Sequence, residues 1–365
     1  MMYRNVKRYG AYPKVRSGRR TRLIFDDIGS YPLPEDLTRE WIKEAFAAIE
    51  APSYKAKLYK VIKDALRQKL NAGLEVPNYP QFQNMITQFS EPIMDKDRTE
   101  APLLVKEVEA RIFELDAVEE LAVAYEDQKG EKLKLRICVT GPIELYYKLF
   151  TPPVYIDVLS NIANSIGRFI KHAIEGAKHY DVVCASIDEP SMGLDPRIEE
   201  EGVITALELA SEYAYRQGVD TQIHLHSPIF YEMVCHVEGI KVIGVESAAK
   251  PSLLTLIDKN QLETYDKFLR IGVSRTDILS MAAEYDELHH TNAFKDKGVL
   301  ETIVMEYNSP EKVTKRLEKA YTLFGERITY AGPDCGLGPF PSQELAFMVL
   351  KNTSAGISAF RSGEY

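Results

Sequence analysis

Four residues that can bind a metal follow apolar runs of the sequence. His224 and His226 lie two apart at the end of one run, Glu246 follows a second run, and Cys335 follows the last. Residues two apart on a strand point to the same side of it, so both imidazoles can face one site. Two imidazoles, a carboxylate and a thiolate form a mixed ligand set that zinc accepts. The pattern therefore predicts a zinc site.

Each of these residues also has an ordinary structural explanation when it is taken singly. A histidine at a strand end is often only hydrogen-bonded, a lone cysteine is most often a small buried hydrophobe, and Glu246 can pair with Lys250. The placement of all four after three separate apolar runs favours a common site.

The elements that position these residues alternate along the chain. Short β-branched or apolar runs are separated by longer stretches of helical period, which is typical of parallel strands joined by crossover helices. The predicted strands number about eight: Arg22–Ile28, Leu133–Val139, Val182–Ile187, Thr221–Leu225, Lys241–Val245, Phe268–Val273, Glu301–Met305 and Arg327–Ala331. We therefore expect an α/β fold, a (β/α)₈ TIM barrel, whose active site lies at the carboxyl ends of the strands.

Helix boundaries have their own signals. Ser309-Pro310-Glu311 begins one helix and Gly325 ends it, and a second helix around Leu58 to Leu70 ends at Gly73. A third is expected from about Leu103 to Lys129. Residues 34–130 exceed what one crossover requires, so they should hold the second βα unit and an extra helical elaboration. The stretch 73–82 is the candidate for a short second strand, although its prolines oppose one.

Composition sets the class of protein and its compartment. Apolar residues make up 45% of the 365 residues, the four cysteines have no short-spaced pair, and the net charge is −9. The N-terminus has no secretory signal and no apolar run could span a membrane, so we expect a cytoplasmic protein without disulfides.

Residues 1–20 carry seven basic residues and no acid, and form a predicted basic arm ahead of a single barrel at 21–365. The arm is expected to be solvated or to dock on an acidic partner, and without an RNA-binding motif it does not indicate nucleic acid.

The strand-end motifs together resemble a known family, the catalytic C-terminal barrel of cobalamin-independent methionine synthase. That barrel belongs to a superfamily that includes uroporphyrinogen decarboxylase and corrinoid-dependent methyltransferases. The resemblance runs from about Leu23 to the C-terminus. Its motifs are Ile28-Gly29-Ser30-Tyr31-Pro32, Thr140-Gly141-Pro142, Asp188-Glu189-Pro190, His224-Leu225-His226, Val245-Glu246-Ser247 and Pro333-Asp334-Cys335-Gly336-Leu337.

The resemblance implies a role for each zinc-site residue. In the family, zinc is held by a His-x-Cys pair, a glutamate and the cysteine of the Asp-Cys-Gly motif, which correspond to His224, Glu246 and Cys335. His226 replaces the cysteine of the pair, and the alternatives are that it binds zinc or that it points away. The zinc would activate a substrate thiol for methylation. No further catalytic residue is assigned.

The resemblance also implies how an amino-acid thiol is bound. The loop Ile28, Gly29 and Ser30 would receive the substrate carboxylate, and Asp188 would receive its ammonium group. The family has a further acidic stretch, Gly-Glu-x-Glu-Arg-Asn-Asp-Met, but residues 78–85 of this chain lack those acids.

The expected function is therefore methyl transfer to homocysteine. The complete folate-using enzyme has two barrels, and 365 residues leave no room for the second, so a methyl-corrinoid, on a possible corrinoid carrier protein, is the expected donor. Another thiol such as coenzyme M, a zinc hydrolase of the amidohydrolase type, a cofactor-free decarboxylase and a non-catalytic metal-binding scaffold remain alternatives.

Overall fold

The computed structural model describes residues 22–192 and 198–363. The predicted basic arm, residues 1–20, lies outside the described residues. The strands are β1 (Ile24–Phe25), β2 (Thr99–Ala101), β3 (Leu104–Val105), β4 (Leu133–Thr140), β5 (Tyr180–Asp188), β6 (Asp220–Leu225), β7 (Val242–Val245), β8 (Phe268–Ser274) and β9 (Ile328–Pro333).

Helices lie between and around these strands. In the described part of the chain they are α1 (Arg39–Ala47), α2 (Pro52–Ala72), α3 (Met85–Met94), α4 (Glu114–Lys129), α5 (Pro142–Leu149), α6 (Ile156–Gly176), α7 (Glu200–Arg216), α8 (Tyr231–Cys235), α9 (Lys259–Thr264), α10 (Ile278–His289), α11 (Lys297–Tyr307), α12 (Pro310–Phe324) and α13 (Gln343–Ser362). Among the described helices, none combines the length and the apolar character needed to cross a bilayer.

Seven of the described strands form one curled parallel sheet in the order β1-β9-β8-β7-β6-β5-β4. The other two described strands, β2 and β3, form a small antiparallel hairpin. The prediction of an α/β fold with parallel strands is thus confirmed. Since parallel strands end at the same edge of a sheet, the loops that follow these seven strands meet on one side.

The eighth strand predicted for a closed barrel is not formed as a regular strand. Between β1 and β4 runs the segment 76–81, which makes only single parallel bridges, from Val76 to Asp26, from Asn78 to Arg136 and from Gln81 to Ser30. Pro77 and Pro80 interrupt this segment, and a proline has no N–H to donate to a ladder. The prolines therefore explain why the chain passes through the second-strand position without a continuous ladder.

The predicted strand Glu301–Met305 is wrong, because those residues lie within α11. Leu300, Ile303 and Val304 are buried, and their spacing of three and four residues is that of one helical face. Asp296 begins the helix by accepting hydrogen bonds from the backbone N–H groups of Gly298 and Val299. A short β-branched run is compatible with the two-residue repeat of a strand and with the 3.6-residue repeat of a helix. The N-cap and the spacing of the buried residues show that this run is helical.

The three predicted helices are found, one with a different start. α12 begins at Pro310 with Ser309 as its N-cap, and Gly73 ends α2 with a φ of 101°, as the glycine signal predicts. The third prediction placed the helix start near Leu103, but α4 begins at Glu114. The residues before it form β3 and a 3₁₀ turn.

Four buried side chains on different strands of the curled sheet form a network of ion pairs and hydrogen bonds. Asp26, just after β1, receives hydrogen bonds from Arg136 Nη1 on β4 at 2.6 Å and from Arg270 Nε on β8 at 2.9 Å. Arg136 Nη1 also donates to Gln222 Oε1 on β6 at 2.6 Å. All four side chains are buried. Removing one partner of such a buried pair typically costs about 3–5 kcal/mol, so the network fixes these strands relative to one another.

Candidate metal and substrate site

The structure brings the four predicted metal-binding side chains together at the carboxyl ends of β6, β7 and β9. The candidate ligand atoms of His224, His226, Glu246 and Cys335 all lie within 4.8 Å of one another. Glu246 Oε1 lies 3.6 Å from His224 Nε2 and 3.5 Å from His226 Nε2, and Cys335 Sγ lies 3.9 Å from His226 Nε2. Ligand atoms around a tetrahedral zinc are roughly 3.3–3.7 Å apart, so the spacing fits a shared ion after small adjustments.

His224 is the most enclosed member of this cluster. Its side chain is 3% exposed, and neither ring nitrogen has a hydrogen-bond partner in the described part of the chain. A buried polar atom without a partner is costly, and a metal ion at Nε2 would supply one. The side chain of His226 is 48% exposed, so this imidazole lies on the open side of the cluster.

The cluster favours the neutral forms of its groups. Burial and the neighbouring Asp334 raise the pKa of the Glu246 carboxyl to about 8, and burial together with Glu246 raises the pKa of the Cys335 thiol well above its usual range. Burial and the neighbouring His226 lower the pKa of His224. A divalent cation would reverse the shifts of the carboxyl and the thiol by stabilising their charged forms, and it would bind the neutral imidazole directly.

Asp334 holds the loop that carries Glu246. Its Oδ1 accepts hydrogen bonds from the backbone N–H groups of Ser247 and Ala248, both at 2.8 Å, and its Oδ2 accepts one from Ala249 at 3.0 Å. Asp334 directly precedes Cys335, so one buried carboxylate links the loops of two candidate ligands. Sequence reasoning assigned no role to Asp334, because no sequence pattern shows which distant N–H groups a carboxylate accepts.

The Ile28-Gly29-Ser30 loop packs against the loop that carries Cys335. Leu337 N donates to Ser30 O at 2.8 Å, and Gly338 N donates to Ser30 Oγ at 3.3 Å. A Cβ at Gly336 would lie 2.9 Å from Ser30 N, so only glycine permits this close approach. The predicted carboxylate-binding loop thus lies beside the candidate metal cluster. Since the Ser30 hydroxyl accepts from Gly338, its proton remains available for a ligand.

Asp188 ends β5 beside His224, its paired residue on β6. Ser186 Oγ donates to Asp188 Oδ1 at 2.7 Å. Burial raises the pKa of Asp188 to about 6, while the nearby Arg136 guanidinium opposes that rise. A carboxylate that is buried beside the cluster can accept a charge-assisted hydrogen bond from an ammonium group.

The acid that follows Asp188 has a different role. Glu189 accepts hydrogen bonds from Ile143 N at 3.0 Å and from Glu144 N at 2.7 Å, at the beginning of α5. A Cβ at Gly141 would lie only 2.0 Å from Glu189 Oε1. The Thr-Gly-Pro and Asp-Glu-Pro motifs therefore form one structural unit, in which Glu189 satisfies the free N–H groups of a helix N-terminus.

Glu114 is another buried acid to which the sequence assigned no role. It is fully buried and accepts hydrogen bonds from Gln83 Nε2 and Gln88 Nε2. The sequence held a signal for it, because Glu114 shares a helical face with the apolar residues Ala117, Val118 and Leu121. A charged residue on such a face indicates a partnered buried group.

Comparison with known proteins supports the fold. No family profile matches the chain, and no curated protein sequence matches it significantly. Among solved structures, a B12-independent methionine synthase from Shewanella sp. W3-18-1 in complex with selenomethionine superimposes with a TM-score of 0.61 at 17% identity, over 94% of this chain and 98% of the other.

Two further structures match at lower scores. A candidate vitamin-B12 independent methionine synthase from Listeria monocytogenes has a TM-score of 0.52 at 13% identity, covering 93% of this chain and 99% of the other. A methyltransferase from Methanosarcina mazei has a TM-score of 0.50 at 12% identity, covering 93% and 95%. The chain therefore has, over nearly its whole length, the fold of B12-independent methionine synthase structures.

Proposed function

We propose that this protein is a zinc-dependent methyltransferase that methylates the thiol of a small amino acid, with homocysteine as its first substrate. One observation carries the proposal: two imidazoles, a carboxylate and a thiol converge at the carboxyl ends of the strands. The fold shared with methionine synthase and methyltransferase structures supports the same reaction class. Fold alone does not fix function, so the donor set and the adjoining loop are the stronger support.

The chemistry of the donor set fits zinc. Borderline-soft zinc accepts nitrogen, oxygen and sulfur ligands together, and His224 has buried nitrogens that lack another partner. When bound, zinc supplies positive charge that lowers the pKa of a thiol so that it is a nucleophile at neutral pH. The exposed His226 is the ligand best placed to give way to an incoming sulfur, because it lies on the open side of the cluster.

The remaining residues of the site would bind the amino-acid part of the substrate. The Ile28-Gly29-Ser30 loop would receive the carboxylate through backbone N–H groups and the Ser30 hydroxyl, and Asp188 would receive the ammonium group. Both lie beside the candidate cluster, so together they would place the sulfur of a short amino acid near the metal ligands. Such positioning contributes to catalysis by holding the nucleophile in line with the methyl group.

The proposed methyl donor is a methyl-corrinoid, free or on a carrier protein. A thiolate would take the methyl group as the S–CH₃ bond forms and the Co–C bond breaks. Cobalt would leave as Co(I) with the electron pair of that bond, without the general-acid help that a folate leaving group requires. Asp334, the acid next to Cys335, has both carboxylate oxygens engaged by backbone N–H groups, which suits a donor that needs no extra acid. Coenzyme M is the second acceptor to be compared.

The amidohydrolase alternative is less favoured, because no histidine besides His224 and His226 belongs to a metal-binding group in the described part of the chain.

The test combines metal analysis with methyl transfer. Purified protein should hold about one zinc per chain, and Cys335→Ser should lose most of it, because removing one of four ligands greatly lowers affinity. His224→Ala should behave alike. Cys235→Ala is the matched control, since Cys235 is a buried cysteine of the apolar core and should leave the zinc content unchanged.

Activity is then measured as loss of methylcobalamin, with homocysteine and coenzyme M as acceptors, and is compared with methyltetrahydrofolate as donor. We expect the highest rate for methylcobalamin with homocysteine. Unchanged zinc content in Cys335→Ser would remove the metal site from the proposal, and a preference for the folate donor would remove the corrinoid.

A further inference from the structure

The interior of the curled sheet contains one layer of buried polar side chains. Asp26, Arg136, Gln222 and Arg270 lie on or directly after β1, β4, β6 and β8, which are alternate strands in the order of the sheet. In barrels of this class, alternate strands supply the inward side chains of one layer. All four side chains are 0% exposed, and we call this group the polar layer.

The polar layer has hydrogen-bond donors that lack acceptors. Arg136 uses only Nη1, which serves both Asp26 and Gln222, and Arg270 uses only Nε. Among the described residues no partner is found for Arg136 Nε and Nη2, for Arg270 Nη1 and Nη2, or for Gln222 Nε2. All of these nitrogens carry N–H groups and none can accept a hydrogen bond. A buried donor without an acceptor is costly, so the layer requires a group that accepts.

The charges of the polar layer are also unbalanced. Two guanidiniums contact one carboxylate, that of Asp26. Burial raises the pKa of Asp188 and Asp334, and the charge of Arg270 opposes that rise in both, so these acids are near it. Their recorded hydrogen bonds, however, come from Ser186 and from backbone N–H groups. The layer therefore combines excess positive charge with free donors, which is the chemistry of an anion site.

Small residues surround the guanidinium of Arg270. A Cβ at Gly244 on β7 would lie 3.5 Å from Arg270 Cδ, and a Cβ at Gly332 on β9 would lie 2.8 Å from Arg270 Nη2. Both glycines thus face the interior beside this side chain. The buried Ser186 on β5 pairs in register with Gln222. Barrel interiors are usually filled by bulky branched side chains, so a serine and two glycines at inward positions leave volume near the polar layer.

We propose that the polar layer binds one small monovalent anion of the chloride class. The N–H groups of Arg136, Arg270 and Gln222 that lack partners would hold it. Such an anion accepts several hydrogen bonds and donates none, whereas each water molecule would add two O–H donors to a layer that already lacks acceptors. The bound charge would balance the second guanidinium and tie β4, β6 and β8 together. This site uses none of the four candidate metal ligands and stands independently of the proposed function.

The first test locates the ion. Crystals of the full chain are grown with sodium bromide in place of chloride, and anomalous scattering is measured at the bromine absorption edge. We expect an anomalous peak in contact with both Arg136 and Arg270. Density for water alone at this position would overturn the inference. A bromide found only among the candidate metal ligands would overturn it as well, because that ion would belong to the metal.

Gln222→Glu tests the role of charge. The new carboxylate keeps an acceptor for Arg136 Nη1 and places a negative oxygen where the amide nitrogen stood, so the chain itself supplies the charge that the anion would bring. The bromide peak should be lost. Gln128→Glu is the matched control, since it makes the same chemical change at an exposed position of α4 and should keep the peak. A Gln222→Glu protein that still binds bromide at full occupancy would contradict the proposal.

Urea unfolding tests the same site in solution. Chloride is varied at constant ionic strength against gluconate, which is too large for the site. A ligand that binds only the folded state stabilises it by mass action, so above the Kd the folding equilibrium constant should rise about tenfold for each tenfold increase in chloride. Gln128→Glu should respond like the wild type, and Gln222→Glu should change by less than about twofold. A wild-type protein without this chloride dependence would overturn the inference. If Gln222→Glu does not fold, the bromide position and the chloride dependence of the wild type decide.

Discussion

Asp334→Asn should weaken zinc binding although the residue is not a candidate ligand. In the structure the carboxylate accepts three backbone N–H bonds from the loop of Glu246. An asparagine oxygen can keep the two at 2.8 Å, from Ser247 and Ala248, but its NH₂ group would then face the N–H of Ala249. Loss of this charge-assisted bond, which is only partly buried, gives a destabilisation of roughly 1.5–3 kcal/mol.

The lost hydrogen bond holds the loop that positions Glu246. Zinc affinity should therefore drop about 10–100-fold, which is the usual effect of removing a partner that orients a metal ligand. Affinity is measured by competition with a chromogenic chelator, and stability by urea unfolding of the metal-free protein. Ser309→Ala is the control: it removes the N-cap of α12 and about 1 kcal/mol of stability away from the cluster. An Asp334→Asn protein that loses stability but keeps zinc affinity within about twofold would refute the link between the two loops.

Three other outcomes are expected. Asp188→Asn should weaken binding of homocysteine by about 1–3 kcal/mol in titration calorimetry with zinc retained, whereas loss of zinc or of the fold would make Asp188 structural. Gly332→Ala should lower the free energy of unfolding by about 1–3 kcal/mol or prevent folding, because the new Cβ would lie 2.0 Å from the backbone oxygen of Asp26; wild-type unfolding in urea would contradict this. Deleting residues 1–20 should slow methyl transfer from a carrier protein and spare free methylcobalamin, and an unchanged rate with the carrier protein would contradict the docking role.

Strand positions were largely predictable from sequence because buried parallel strands appear as short apolar runs. The Leu133 and Phe268 runs became β4 and β8 with boundaries shifted by one residue. The prediction failed at Glu301–Met305, where a β-branched run fits either period, and at segment 76–81, where single bridges replace a ladder. The N-cap at Asp296 decides the first case, and the prolines Pro77 and Pro80 decide the second.

The sequence also predicted that four metal-binding side chains would come together. Each lies at the end of a predicted strand, and parallel strands have their carboxyl ends at the same edge of the sheet; these residues are His224, His226, Glu246 and Cys335. The supporting contacts could not. The hydrogen bonds of Asp334 join residues more than 80 positions apart, and the roles of Glu189 and Glu114 depend on which backbone or amide groups lie opposite them. Such pairs are set by register and loop path, which a single sequence does not encode in any short pattern.

The contact between Gly141 and Glu189 has a consequence for how this protein can change over evolution. The Glu189 carboxylate occupies the space where a side chain at residue 141 would begin, and it caps α5 in the same position. The residue type tolerated at each position therefore depends on the other. If Glu189 is replaced by a smaller residue, a residue larger than glycine fits at position 141. If position 141 carries a larger residue, the Glu189 side chain no longer fits. The two positions should drift as a pair among related sequences, and combinatorial libraries that vary them independently should yield few folded members.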